Sequence, residues 1–186
     1  MITLSDSPVK GSLFILMGLP RSGKSTIAKQ WQNYELDIEE GKLLSPIVDL
    51  PSKPRVVVCG DWIRKAFTGK RYIHDTEEYT FLLCKLFIRC YLDNGYDILF
   101  DDTNSSEFSL SNLAKIDSNF DWYCIFPDRD ICKERAISCG HHDLVEQGVI
   151  DRVYMNLFNL FLKHGSIKKA IVAIKCQIER NNNVKR

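Results

Sequence analysis

The segment Gly18-Leu-Pro-Arg-Ser-Gly23-Lys24-Ser25 fits G-x-x-x-x-G-K-[ST], with an apolar run, Ser12 to Met17, before it and Thr26 to Gln32 after it. A strand, a glycine loop and a helix in that order form a cradle for the phosphates of a nucleoside triphosphate. Gly18 and Gly23 let the main chain curl until successive N–H groups, those of Arg21 and Ser22 included, face one anion. The helix starting near Gly23 adds the positive end of its dipole. Lys24 is placed to reach the β- and γ-phosphates. Ser25 is placed to help hold Mg²⁺, with Thr26 beside it in the first turn.

A chain of 186 residues with 45% hydrophobic and 26% charged residues is expected to close one core, as a single domain over 1–186. No apolar run approaches membrane-spanning length, and the first ten residues lack a basic start followed by an apolar stretch, so a cytoplasmic protein is expected. Seven cysteines without a C-x-x-C pair read as reduced thiols, spread over segments expected to be mostly buried. Cys132, Cys139, His141 and His142 match no usual zinc spacing. A net charge of +1 makes any polyanion site local, and Lys53, Arg55, Arg64, Lys65, Lys70 and Arg71 are expected to cluster around one strand end.

Short apolar runs alternate with amphipathic stretches. Strands are expected at 12–17, 55–59, 96–100, 122–126 and 170–174, with helices between them. In the helix over 76–93, Tyr79, Leu82, Leu83, Leu86, Phe87, Cys90 and Tyr91 form the expected core face. Residues 34–54 read as a long irregular connection near the entrance to the site, and 139–148 as a polar loop. Strands that are apolar throughout indicate an α/β fold, a three-layer sandwich with a parallel sheet of about five strands. Ligands collect beyond the carboxyl ends of such strands, which brings together Gly18 to Ser25, Asp61 to Arg64 and Asp101 to Asn104.

Phosphoryl transfer needs positive charge at the γ-phosphate, a magnesium ion, and a group that orients or deprotonates the acceptor. Asp102, at a strand tip, is the expected magnesium carboxylate, with Asp101 the alternative in the same turn. Asp61 offers a base for an acceptor hydroxyl, or an N-cap for the helix that follows, and Arg64 stands one turn later as an anion grip.

In order and spacing, Gly18 to Thr26, Asp61-Trp-Ile-Arg64, Asp102-Thr-Asn104 and the helix carrying Arg135 resemble the kinase domain of bacteriophage polynucleotide kinase and its P-loop kinase relatives. The resemblance implies a P-loop NTPase fold with ATP and Mg²⁺ as cofactors, Asp61 as general base, and Arg64 as the contact to the acceptor's phosphate. It also implies a lid, around 129–148, that brings Arg135 over the triphosphate. Cys139-Gly-His-His142 stands where the family has a second lid arginine, and Arg129 and Arg152 are other possible donors.

The function expected is an ATP-dependent kinase acting on a 5′-hydroxyl of a polynucleotide, with Trp62 or Tyr72 as possible stacking aromatics. The alternatives are a kinase for a small metabolite or nucleotide sugar, zeta-toxin-like enzymes included, and a catalytically weak ATP-binding protein. No N-K-x-D guanine motif and no thiol nucleophile with a paired base is present.

Overall fold

The computed structural model describes residues 10–45, 53–69 and 76–184. It is an α/β sandwich around a parallel sheet of four strands in the order β4-β5-β1-β6. These are β1 (Leu13–Gly18), β4 (Arg55–Cys59), β5 (Asp97–Asp101) and β6 (Asp121–Ile125). All six residues of β1 are buried. It lies between β5 and β6, so both its edges are hydrogen-bonded, and a core covers each of its faces. Leu13, Ile15 and Met17 join the larger core with residues of the helices α3 (Glu77–Asp93), α4 (Glu107–Ala114), α7 (Val149–His164) and α8 (Ile167–Val184). Phe14 and Leu16 point the other way, into a smaller core with Trp31 of α1 (Lys24–Gln32), where the Phe14 and Trp31 rings lie 5.2 Å apart.

The expected fifth strand, 170–174, is helical and lies within α8. Its apolar run belongs to a longer stripe, for Ala170, Ile171, Ile174 and Ile178 are the buried positions, at helical spacing. Ser166 starts the helix by accepting from the Lys169 N–H, and no glycine or proline interrupts it. In α3 the core face is Thr80, Cys84, Ile88 and Leu92. The expected face is wrong there: Tyr79, Leu82, Leu86 and Phe87 are exposed. The helix is apolar on two sides, and its packing on β4 and β5 selects one of them.

The connection after α1 is more ordered than expected and lies elsewhere. It forms a hairpin of β2 (Asp37–Glu39) and β3 (Lys42–Leu44), while 46–52 fall outside the described residues. The Gly41 N–H donates to the Trp122 carbonyl at 2.7 Å, which fastens the hairpin to the amino-terminal end of β6, away from the strand ends that carry the motifs. Gly41 has φ +86, and a Cβ there would press into the Trp122 ring at 2.7 Å.

The expected basic cluster is also divided. Arg55, at the start of β4, pairs with Asp37, and Lys53 donates to the Lys10 carbonyl, whereas Arg64 belongs to the helix after β4. Lys70, Arg71 and Tyr72 lie outside the described residues. Residues 139–148, expected as loop, contain the short helix α6 (His142–Glu146) between α5 (Arg129–Ser138) and α7. No helix of the described residues is long and apolar enough to cross a membrane.

All seven cysteines are free thiols; Cys59, Cys84 and Cys132 are buried, whereas Cys90, Cys139 and Cys176 are exposed. Burial pushes the Cys59 and Cys84 thiols up to about 12. Since the thiolate is the reacting form, iodoacetamide at about pH 8 should alkylate Cys90, Cys139 and Cys176 in the native protein and reach Cys59 and Cys84 only after denaturation. Rapid native labelling at Cys59 or Cys84, read by peptide mass spectrometry, would contradict this packing.

Candidate active site

Three strand ends meet beyond the carboxyl edge of the sheet. At the first, Gly18 has φ +143, and a Cβ there would lie 2.2 Å from the Ile125 carbonyl oxygen, so only glycine lets β1 run this close to β6 as the chain turns away. Gly23, at φ +103, is the left-handed residue from which α1 starts, and a Cβ on it would meet nothing within 4 Å. Arg21 between them is also left-handed, at φ 66. The Ser22 hydroxyl is buried and has no hydrogen-bond partner among the described residues.

The Lys24 ammonium, at the head of α1, folds back to donate to the carbonyls of Gly18 at 3.1 Å and Leu19 at 2.8 Å. Burial lowers its pKa, against the opposing pull of Asp101, Asp102 and Asp61. Three carboxylates from two strand ends therefore act on this one cation.

The Ser25 hydroxyl donates to Asp101 Oδ2 at 2.8 Å. Asp101 ends β5 and pairs in register with Leu16 on one side and Cys59 on the other, which turns its carboxyl toward α1. Burial raises its pKa, and Lys24 and Ser25 oppose that rise. Asp102, the expected partner, faces the other way, with Oδ2 at 3.7 Å from Arg64 NH2. The rest of the turn braces the loop: the Gly18 N–H donates to the Thr103 carbonyl at 3.1 Å, and the Asn104 amide donates to the Leu16 carbonyl at 2.8 Å.

At the second strand end, α2 (Gly60–Thr68) has Cys59 at its N-cap position and carries Asp61 in its first turn, two residues past the cap. The N-cap alternative for Asp61 is thereby corrected. The acid helps the helix start through the dipole instead. Its side chain is 59% exposed, and Oδ1 accepts from Arg64 NH1 at 2.6 Å.

Arg64 is buried and also grips Glu77, with Nε to Oε1 at 2.6 Å and NH2 to Oε2 at 2.9 Å. The sequence reading did not single out Glu77. Its one signal is local: two acids, Glu77 and Glu78, in the first turn of α3.

Arg135 reaches across from α5, its NH1 3.5 Å from the Arg21 carbonyl. Arg129 is engaged elsewhere, pairing with Asp151 at 3.3 Å and lying over the Tyr154 ring. Arg152 donates to the Gln147 carbonyl at 3.4 Å, away from the loop. Trp62 is 55% exposed on α2.

The chain matches a solved structure titled "Structure of the Pnkp1/Rnl/Hen1 RNA repair complex" with a TM-score of 0.59 over 86% of its residues, at 19% identity. The chain shares the α/β fold of that structure. A related structure, "Structure of Pnkp1/Rnl/Hen1 complex", matches 70% of the chain with a TM-score of 0.53 and 22% identity. The chain spans 47% and 40% of the lengths of these two proteins, and at such identities the likeness concerns the fold alone. A gluconokinase from Sinorhizobium meliloti 1021 is more distant, with a TM-score of 0.44 and 11% identity over 96% of this chain and 99% of that one. No family model matches the chain, and no curated protein matches its sequence.

Proposed function

We propose that the protein is an ATP-dependent phosphotransferase that moves the γ-phosphate to a hydroxyl acceptor, a 5′-hydroxyl of a polynucleotide. One observation carries this reading: a buried lysine in a glycine loop and an arginine-held carboxylate on the next strand end but one lie within electrostatic reach of each other. Donor and acceptor groups thus share one edge. Lys24 exchanges the Gly18 and Leu19 carbonyls for phosphate oxygens, and the loop N–H groups with the buried Ser22 hydroxyl hold the rest of the triphosphate.

The Ser25 and Asp101 oxygens suit Mg²⁺, which binds through few protein oxygens alongside substrate phosphates; the hydrogen bond between them favours Asp101 over Asp102 for this role. When bound, the ion would neutralise charge on the phosphates. Asp61 accepts the proton of the attacking hydroxyl, and Arg64 holds its carboxylate in line. Arg135, from the lid around 129–148, supplies charge to the transferring group as the lid closes. The free thiols suit an intracellular, reducing compartment.

A small-molecule acceptor is the second reading, favoured by the filled fork of Arg64 and by the net charge of +1. Incubation with γ-labelled ATP and Mg²⁺, against 5′-hydroxyl oligonucleotides, nucleosides and polyols, separates the two. Label on the oligonucleotide is the expected result; label on a polyol alone would favour the second reading, and label on nothing would remove both.

Gly60 supplies a sharper check of the acceptor side. A Cβ at this position would lie 2.5 Å from Asp102 Oδ2 and 3.4 Å from Arg64 NH1, so Gly60→Ala must shift the Asp102 carboxylate that stands against Arg64, the residue that holds Asp61. Transfer should fall about tenfold or more through misplacement of the base, while triphosphate affinity changes little. Undiminished transfer would show that the Asp61–Arg64 geometry is not used.

A further inference from the structure

The guanidinium of Arg64 is filled along both edges. Glu77 takes Nε and one NH2 hydrogen in a bidentate pair, Asp61 takes NH1, and Asp102 stands against NH2 at 3.7 Å. A guanidinium grips phosphate through that same fork, with the same pair of parallel hydrogen bonds. A phosphate on the acceptor can therefore reach Arg64 in one of two ways. It adds a fourth anion to three carboxylates, or it replaces one of them.

Of the three, Glu77 is placed to leave. Its side chain is 34% exposed and sits in the first turn of α3, so a displaced carboxylate moves into water and stays near the positive end of a helix dipole. Asp61 is more exposed, at 59%, but its departure would dismantle the acceptor side itself. Asp102, 22% exposed, packs against Gly60.

We infer that Glu77 is a specificity-determining latch: its carboxylate occupies the place on Arg64 that a phosphate beside the acceptor hydroxyl would take, and such an acceptor binds only by displacing it. The inference rests on the reading of Asp61 and Arg64 as the acceptor side. Arg64 stays preorganised while the site is empty of acceptor, and each phosphate-bearing acceptor must compete with an internal anion. Acceptors with a bare hydroxyl do not meet that competition.

The test uses the full chain, with Mg²⁺ and an unhydrolysable ATP analogue present, and two probes with the same 5′-hydroxyl: adenosine 3′-monophosphate and adenosine. Calorimetry gives the ratio of their affinities. Glu77→Gln, which removes the competing charge, should raise the preference for the 3′-monophosphate by about tenfold. Glu77→Asp, which keeps the charge but draws the carboxylate back by one methylene, should move the ratio the same way by a smaller factor. It carries the test if the glutamine variant does not fold.

A ratio unchanged in both variants, or one that falls because Arg64 has lost its anchor, would overturn the latch. The transfer assay on the wild-type chain separates this from the kinase reading. A shifted ratio without transfer to either probe would keep the latch and sink the kinase. Transfer with an unshifted ratio would do the reverse, and binding of neither probe to any variant would overturn both.

Discussion

Replacing Lys24 with alanine should lower transfer from labelled ATP by about three orders of magnitude, equivalent to ~4 kcal/mol of transition-state stabilisation. Burial lowers the pKa of this ammonium, and the charges of Asp101, Asp102 and Asp61 oppose that fall without reversing it. Removing it leaves the γ-phosphate without its nearest protein cation while Asp101, Asp102 and Asp61 remain beside the site. Triphosphate binding should weaken as well. Lys24→Met, which restores the bulk of the stem, separates charge from packing: it should be as inactive as the alanine variant. Recovery of transfer by methionine would place the effect in the shape of the loop.

Asp61→Asn should slow transfer by about two orders of magnitude while leaving ATP affinity nearly intact. The amide oxygen can still accept from Arg64, so the geometry of the pair survives. What is lost is the capacity to take a proton. A fall in kcat without a matching fall in nucleotide affinity separates this variant from Lys24→Ala, in which both change. Equal kcat for Asp61→Asn and wild type would remove Asp61 from the chemistry and leave it as the partner that holds Arg64.

The glycine loop between β1 and α1 was legible in the sequence because the signals are local. Glycines at two set positions, a lysine and a serine between a strand and a helix need no knowledge of the rest of the chain. Which of Asp101 and Asp102 bonds the Ser25 hydroxyl was not. Successive residues at a strand end point to opposite sides, and which side faces α1 depends on the pairing of Asp101 with Leu16 and Cys59, a property of the assembled sheet. The same limit hid Glu77, whose partner Arg64 lies 13 residues away on another helix.

Two errors came from apolar runs that fit more than one packing. Ala170 to Ile174 is short and β-branched enough to read as a strand, yet Ile178 continues its stripe at helical spacing. In α3 both sides are apolar, and the richer side, Tyr79, Leu82 and Leu86, is the one left exposed. Composition ranks candidate faces by hydrophobicity; the sheet selects the face whose side chains fit it.

Nucleotide binding should bring one exchange at Lys24, from main-chain carbonyls to phosphate oxygens. A crystal structure with Mg²⁺ and an unhydrolysable ATP analogue measures it directly. The expected result is a triphosphate lying along Gly18 to Ser25, the Lys24 ammonium moved off the Gly18 and Leu19 carbonyls onto it, and the Asp61 carboxylate facing its terminal phosphate. An analogue bound elsewhere, or a Lys24 still hooked to both carbonyls beside a bound nucleotide, would contradict the assignment.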